Sequence, residues 1–275
     1  MIKRKYFSFQ INEPDAGRQD MLVAMLQDYG FDGFEQTDSL LIANGFENAI
    51  DDAGAEQYLT SNGISFSKTL LDEENWNKMW ESDFEPIIID NYCAVRASFH
   101  EPVENVEYDI VITPKMSFGT GHHATTWMML KAMEQVVFEG KTVIDFGTGT
   151  GVLAILAEKK GARFIHAIDY DDWCIENGNE NVAANNCHHI QLSKADNLSG
   201  AERSDIILAN INKNIIMDHF AAFKPLLQKE GILLLSGILK EDETDIMEKA
   251  IGFGLQMNQR LEKNGWLCIC FKNAA

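Results

Sequence analysis

A glycine-rich turn in the middle of the chain has the residue types and spacing of a ligand-binding loop. Residues 143–151 read Val-Ile-Asp-Phe-Gly-Thr-Gly-Thr-Gly, and an apolar helical pattern starts directly after them. This order predicts a buried strand, a tight turn and the start of a helix. Glycines allow the backbone to approach a ligand closely, and the first turn of a helix presents free N–H groups to it.

Two common functions of such a turn are excluded by single positions. The dinucleotide fingerprint G-x-G-x-x-G needs a third glycine where this chain has Val152. A phosphate-binding loop ends in Gly-Lys-Ser/Thr, but no lysine occurs between Lys141 and Lys159. The remaining pattern, D-x-G-x-G-x-G from Asp145 to Gly151, resembles motif I of the class I S-adenosylmethionine (SAM) methyltransferases. This resemblance implies that SAM is the cofactor.

Acidic residues follow the next two predicted strands. The strand at 164–169 ends in Asp169, and a carboxylate at this place in a doubly wound sheet can accept hydrogen bonds from both hydroxyls of a ribose. Asp171 is the alternative ribose ligand, and Asp172 is the predicted N-cap of the following helix. Asp196 is either a contact to an adenine amino group or a solvated loop acid.

Two further segments narrow the resemblance from the class I methyltransferases to one family among them. Residues 114–126 read Pro-Lys-Met-Ser-Phe-Gly-Thr-Gly-His-His-Ala-Thr-Thr, and the apolar strand beginning at Ile206 ends in Ala-Asn at position 210. With motif I, they resemble the ribosomal protein L11 methyltransferases, the PrmA family, in which the loop reads FGTGxHxTT and the fourth strand ends in AN. Residues 235–239 are similar to that family's fifth strand. The resemblance is strong from residue 114 to about 240 and weaker across the N-terminal part, where only element order and length match.

The resemblance implies a set of site residues and a substrate. It makes Thr126, Gly147, Asp169 and Asn210 cofactor contacts, and our predicted cofactor site also contains Phe118, Gly149 and Asp196. It implies methylation of amino groups, both lysine side chains and the N-terminal amine, on a basic large-subunit ribosomal protein, L11. In that family a small N-terminal domain binds the protein substrate.

Asn210 is the predicted catalytic residue. A lysine amine with a pKa of about 10.4 is protonated near neutral pH, and its deprotonation there costs about 4 kcal/mol. Because a sulfonium is already a strong electrophile, positioning of the amine, which can lower a barrier by roughly 7–11 kcal/mol, matters more than a strong base. An amide oxygen can hold the amine without trapping it as ammonium. The alternative is that Asn210 caps the helix beginning near Asn212.

The adjacent His122 and His123 raise the question of a metal site. No Cys, Asp or Glu lies within five residues of them, so a local zinc site lacks ligands. We therefore expect no metal, and we interpret this loop as one that shapes the SAM pocket.

Composition restricts the class of protein. At 275 residues the chain exceeds a usual single-domain length, and its longest apolar runs, such as 231–236, are too short to span a bilayer. No apolar segment of a signal peptide follows the basic N-terminus. Five cysteines without C-x-x-C spacing favour reduced thiols, so we expect a cytoplasmic protein without a membrane partner.

The negative charge is concentrated in the N-terminal part. Residues 1–113 contain 7 Lys/Arg and 22 Asp/Glu, a net charge of −15, whereas residues 114–275 contain 16 and 20, a net charge of −4. An acidic field repels nucleic acid and attracts a basic partner, although an acidic surface also serves solubility. We expect a basic protein partner and no nucleic acid. A monomer is the expected oligomeric state.

The N-terminal part alternates strand and helix signals. The pattern predicts a strand at 6–11, a helix at 16–29, a hairpin at 34–43 turning at 37–39, a helix at 47–61 and a strand at 64–71. The order β-α-β-β-α-β is typical of a ferredoxin-like α+β module. We therefore expect a substrate-recognition domain over residues 1–71.

A linker is expected over residues 72–113, with a helix at 72–84 that carries Trp76 and Trp80 on one face, and strands near 86–96 and 107–112. Residues 114–275 are the expected SAM-dependent methyltransferase domain. Strands and helices alternate there at 142–146, 152–159, 164–169, 172–185, 189–193, 204–209, 212–228, 231–236 and 240–252, before strands at 255–261 and 266–271. This alternation predicts a doubly wound, mainly parallel, Rossmann-like sheet, whose ligands bind at the carboxyl ends of the strands.

Two other functional classes are open from sequence. One is a SAM methyltransferase acting on a small molecule or a nucleic acid. Amide methyltransferases of this kind carry Asn-Pro-Pro-Tyr after the fourth strand, whereas this chain has Asn-Ile-Asn-Lys from position 210, which disfavours that subtype. The other class is a non-enzymatic SAM-binding protein.

Overall fold

The computed structural model describes residues 5–72, 85–113, 119 and 121–274. They fall into two units, residues 1–84 and 85–275. The helix predicted at 72–84, with its two tryptophans, lies outside the described residues except for Asp72, which ends a strand. Phe118 also lies outside them.

The first unit is a four-stranded antiparallel sheet with two helices on one face. The strands pair in the order β2-β3-β1-β4. Alternate residues of β1 and β3 point to the same side, and there Phe9, Ile11, Leu41 and Ala43 pack in one apolar core with residues of both helices. The elements are β1 Lys5–Asn12, α1 Ala16–Asp28, β2 Gly33–Gln36, β3 Leu40–Phe46, α2 Asp52–Ser61 and β4 Phe66–Asp72.

Each predicted element of this unit is present, and the largest error in a boundary is five residues. The helix expected from residue 47 begins at Asp52, because the Asp51 side chain accepts a hydrogen bond from the Gly54 N–H at 2.9 Å and caps it. The hairpin turns at residues 37–39, as predicted.

The second unit contains a small sheet and a large one. The small sheet pairs β5 Ile87–Ile89, β6 Cys93–Ala97 and β7 Tyr108–Ile112 in that order. The large sheet has the order β10-β9-β8-β11-β12-β14-β13, parallel from β10 to β12 and antiparallel beyond, which confirms the predicted mainly parallel sheet. Its strands are β8 Thr142–Phe146, β9 Phe164–Asp169, β10 Ile190–Lys194, β11 Ser204–Asn210, β12 Leu227–Leu239, β13 Leu255–Lys263 and β14 Trp266–Asn273.

Helices cover both faces of the large sheet. Residues 206–210 of β11 are buried without alternation, as a parallel strand between two helix layers requires. The helices are α3 Ala124–Met133, α4 Val152–Lys159, α5 Asp172–Ala184, α6 Lys213–Leu226 and α7 Glu243–Gly252. The sequence did not predict α3, and β12 is longer at both ends than expected. In the described ranges, no helix combines the length and apolar character needed to cross a membrane.

Parallel pairing brings the ends of three strands together. In the order β9-β8-β11, residue Asp169, the glycine turn after Phe146, and Asn210 all lie at the carboxyl edge of neighbouring strands. This edge therefore collects the residues that the sequence singled out.

Candidate functional site

A cavity of about 1270 Å³ opens at this carboxyl edge. Its walls come from the glycine turn, the ends of β9 and β11, the start of α3 and the β13–β14 hairpin. Five of the predicted cofactor residues line it, namely Gly147, Gly149, Asp169, Asp196 and Asn210.

The glycine turn has a backbone that only glycine adopts without strain. Gly147, Gly149 and Gly151 have φ values of 76°, 55° and 80°. At Gly147 a Cβ would lie 2.2 Å from the Ile211 side chain, so even alanine does not fit there. Gly151 is the N-cap of α4 and provides no side-chain cap, so the turn presents backbone at the cavity, as the motif predicts.

Asp169 joins the end of β9 to the glycine turn. One carboxylate oxygen accepts a hydrogen bond from the Gly149 N–H at 2.9 Å, and the other accepts from the Asp171 N–H at 3.1 Å. The side chain is buried, yet it lines the cavity. Because a carboxylate has about four acceptor positions, Asp169 keeps capacity for further donors.

The predicted N-cap at Asp172 was wrong by one residue. Asp171 has extended dihedral angles and accepts from the Trp173 N–H at 2.9 Å, whereas Asp172 is already helical. The Asp172 carboxylate instead pairs with Lys194 at 2.6 Å on the surface. The side chain of Asp171 is therefore occupied in capping α5, although the residue lines the cavity.

The two polar atoms of the Asn210 side-chain amide differ in hydrogen bonding: one has a partner and the other has none in the described part of the chain. Its amide nitrogen donates to the Thr126 hydroxyl at 3.2 Å, whereas its Oδ1 is buried without a hydrogen-bond partner in the described part of the chain. The alternative that Asn210 caps α6 was wrong, because Asn212 caps that helix by accepting from the Ile215 N–H at 3.1 Å. Thr126 is completely buried and contacts the site through Asn210.

Asp196 is exposed and accepts a hydrogen bond from the Asn197 amide at 2.7 Å. Sequence reasoning missed five aromatic residues that line the cavity wall: Phe146, Tyr170, Trp173, His219 and Trp266. Tyr170 and Trp173 are 70% and 72% exposed, and large exposed aromatic side chains beside a cavity are typical of a binding surface. For Tyr170 and Trp173, the signal in the sequence was their position shortly after Asp169, the acid that ends β9.

The two histidines of the loop lie in different surroundings. The His122 Nε2 is 3.1 Å from the Glu85 carbonyl oxygen, and His123 caps α3 through its Nδ1. The His123 ring also meets the Trp266 ring edge-on, with centroids 5.0 Å apart. Among the residues that the structure describes, no group of three or more His, Cys, Asp or Glu side chains is arranged for a metal.

Asp145, the first residue of the motif, is a buried acid behind the turn. Its pKa is raised to about 7, mainly by burial and also by the negative charge of Asp169, whereas a hydrogen bond from the Thr148 hydroxyl at 2.6 Å opposes the shift. The site is thus rich in acceptors and negative charge. This set of acceptors suits a ligand that carries hydroxyls, amino groups and positive charge, as SAM does.

Comparisons with known proteins point to one family. A sequence model described as "Ribosomal protein L11 methyltransferase (PrmA)" matches residues 12–274. The chain is 38% identical over 260 residues to a protein of that name from Porphyromonas gingivalis, covering 92% of this chain and 90% of the relative. It is 36% identical over 277 residues to the one from Bacteroides thetaiotaomicron, covering 97% and 99%.

A solved structure provides independent evidence for the fold. The crystal structure of a ribosomal protein L11 methylase from Lactobacillus delbrueckii subsp. bulgaricus is similar with a TM-score of 0.65 and 27% identity, covering 70% of this chain and 100% of that chain. The Rossmann-like methyltransferase fold predicted from the motifs is therefore confirmed.

Proposed function

The chain belongs to the PrmA family of ribosomal protein L11 methyltransferases and is a SAM-dependent protein methyltransferase, and we propose that its substrate is ribosomal protein L11. The methylated groups in this proposal are amines, both lysine side chains and the N-terminal amine. A small molecule or a nucleic acid as substrate has no comparable support.

The observation that carries the proposal is the free acceptor of Asn210. A buried amide oxygen without a partner is unfavourable unless a ligand satisfies it. A primary amine has the donor that this oxygen lacks. The Thr126 hydroxyl holds the other end of the amide, so the acceptor keeps its orientation. We infer that Asn210 is the catalytic residue and that it aligns the amine lone pair while water takes the proton.

The cofactor part of the proposal assigns roles to the lining residues. SAM, when bound, supplies an electrophilic methyl group on a positively charged sulfur. Asp169 accepts hydrogen bonds from ribose hydroxyls, the backbone of Gly147 and Gly149 lies against the ligand, and Asp196 accepts from the adenine amino group. Thr126 acts through Asn210. The proposed contact of Phe118 rests on the family resemblance alone.

The proposed recognition module is the domain at residues 1–71. Its strand order, with β1 and β3 central and all neighbours antiparallel, supports a ferredoxin-like assignment. Its exposed acids, such as Asp32, Glu35 and Asp38, suit a basic protein better than a nucleic acid. We propose a monomer that acts in the cytoplasm, which agrees with five free cysteine thiols.

A methyl-transfer assay tests this function. Full-length enzyme and labelled SAM are incubated with purified L11, with ribosomes and with ribosomal RNA, and intact-protein mass counts the added methyl groups. We expect label on L11 and none on RNA, and labelling of L11 slower by about a hundredfold or more with Asn210→Ala. Label on RNA, or wild-type enzyme that leaves L11 unlabelled, would contradict the proposal.

A further inference from the structure

A row of asparagines runs along the buried face of α5. Asn177, Asn181 and Asn185 are spaced four residues apart, so they lie one above another on one side of the helix. All three are buried, the first two completely. Asparagine is a poor helix former with a polar side chain, so three of them on one buried face need hydrogen-bonding partners.

Asn181 bonds two chain segments that are far apart in sequence. Its Oδ1 accepts from the Thr113 N–H at 2.7 Å, and its Nδ2 donates to the Thr150 carbonyl at 2.8 Å. The same Nδ2 also donates to the Asn177 side chain at 2.6 Å. Asn177 in turn donates to the Thr113 carbonyl at 3.2 Å, so both backbone groups of Thr113 are held.

Thr150 is the central residue of this arrangement. It lies inside the glycine turn, between Gly149 and Gly151, and is completely buried. Its hydroxyl donates to the Gly119 carbonyl at 2.8 Å, while its own carbonyl accepts from Asn181. The glycine turn is thereby bonded to Thr113, through Asn181, and to Gly119 directly.

We propose that Asn181 is a positioning residue of the SAM site. It does not line the cavity, but it holds the turn whose glycines do. Removal of its amide leaves the buried Thr150 carbonyl without that donor, which is unfavourable, so the turn rearranges to find another one. The turn then loses the shape that fits the cofactor. This inference rests on the SAM site of the proposed function.

Asn185 provides a matched control one helical turn further on. Its side chain accepts from the Val111 N–H at 3.0 Å and donates to the Val111 carbonyl at 2.6 Å. It also donates to the Asn181 carbonyl at 2.8 Å. It is a buried asparagine at the C-cap of the same helix, and its bonds to Val111 resemble those of Asn181 to Thr113, yet none of them reaches the glycine turn. The two residues therefore differ mainly in the link to Thr150.

The test compares Asn181→Ala with Asn185→Ala by calorimetric titration of SAM and of its demethylated product. We expect both variants to melt at lower temperature than the wild type. Asn181→Ala should weaken binding of both ligands by about tenfold, because one fixed hydrogen bond controls the turn, whereas Asn185→Ala should stay within about two-fold. At saturating SAM the kcat of Asn181→Ala should approach that of the wild type.

Equal SAM affinities of the two variants would overturn the inference, and failure of the wild type to bind SAM would overturn the proposed function as well. A measurement on the wild type covers the case in which Asn181→Ala does not fold. Hydrogen exchange of the Thr113 amide should slow when SAM binds, because Asn181 joins it to the turn, whereas the Val111 amide should change much less. Equal protection at both positions would contradict the positioning role.

Discussion

The two units of the chain differ in how strongly their buried polar side chains are concentrated around one place. In the first unit, the core formed by β1, β3 and the two helices is apolar. In the second unit, buried polar side chains gather around the cavity, among them Thr126, Asp145, Asp169 and Asn210. Buried polar groups cost stability unless they are paired, so their concentration marks the place where structure serves a ligand.

The surfaces differ as well. Residues 1–84 contain 16 Asp/Glu and 6 Lys/Arg, a net charge of −10, whereas the much longer segment 85–275 has a net charge of −9. The first unit is therefore far more acidic for its length. The comparison suggests a division of labour, in which one unit performs the chemistry and the other attracts a basic protein. Substitutions that affect only one of these two properties test this division of labour.

The largest effect is expected at Asn210. Asn210→Ala removes the acceptor that we propose for the amine, and loss of one positioned catalytic group lowers kcat by about a hundredfold or more. Affinity for the protein substrate should change little if recognition belongs to the first unit. Single-turnover kinetics on L11 separate the two quantities. A variant with wild-type kcat would remove Asn210 from the chemistry.

A smaller effect is expected at Asp169. Asp169→Ala removes a charged acceptor worth roughly 1.5–3 kcal/mol, so SAM affinity should fall by about ten- to a hundredfold. Asp171→Ala is the matched control, because it removes a helix cap and lowers stability by about 1 kcal/mol without removing a proposed ligand of the ribose. Titration calorimetry measures both. A larger loss for Asp171→Ala would reverse the assignment of the ribose ligand.

Charge reversal in the first unit should weaken binding of the protein substrate without changing binding of SAM. Replacing the exposed Asp32, Glu35 and Asp38 by lysine should raise KM for L11 by about tenfold and weaken its dependence on salt, since such attraction is screened. SAM affinity should stay unchanged. The control reverses three exposed acids of the second unit, Glu202, Glu241 and Glu248. Equal effects of the two triple variants would show that the acidity of the first unit has no special role.

The comparison also explains which parts could be predicted from sequence. The strands β8, β9 and β11 are short, continuous apolar runs, and the turn after β8 has glycines at positions that demand positive φ, so pattern and chemistry agree there. The first unit has an apolar core with ordinary periodicity, and its element order was predicted for the same reason. The edge where Asp169 and Asn210 meet follows from parallel pairing alone.

Other features depend on tertiary structure. The helix α3 was missed because it is buried nearly all round, so it lacks a polar stripe, and His123 at its start is not a usual N-cap. The cap was predicted at Asp172 and lies at Asp171, because the backbone dihedral angles decide which of two adjacent acids is in the helix, and the sequence pattern does not contain them. Trp266 reaches the cavity from a distant hairpin, a contact that no local pattern predicts.

The smallest effect concerns the stability of each unit as pH changes. Burial raises the pKa of Asp145 to about 7 from the ordinary 3.8, so between these values the folded state binds more protons than the unfolded state. The stabilisation is then present at low pH and is lost as pH rises through about 7.

In the first unit, a hydrogen bond from Lys68 lowers the pKa of Asp52, and that contribution is lost only when pH falls below 3.8. From pH 6 to 8 the titration of Asp145 should therefore lower the unfolding free energy of the second unit by about 1 kcal/mol, whereas burial lowers the pKa of His166 and so gives a contribution of opposite sign in the same unit. Native-state hydrogen exchange, corrected for intrinsic rates, measures this at amides of β8 and β1. Asp145→Asn keeps an acceptor for the Thr148 hydroxyl but cannot titrate, so the loss assigned to Asp145 should be absent from that variant. The same pH dependence at β8 in wild type and Asp145→Asn would assign it to another group of the second unit.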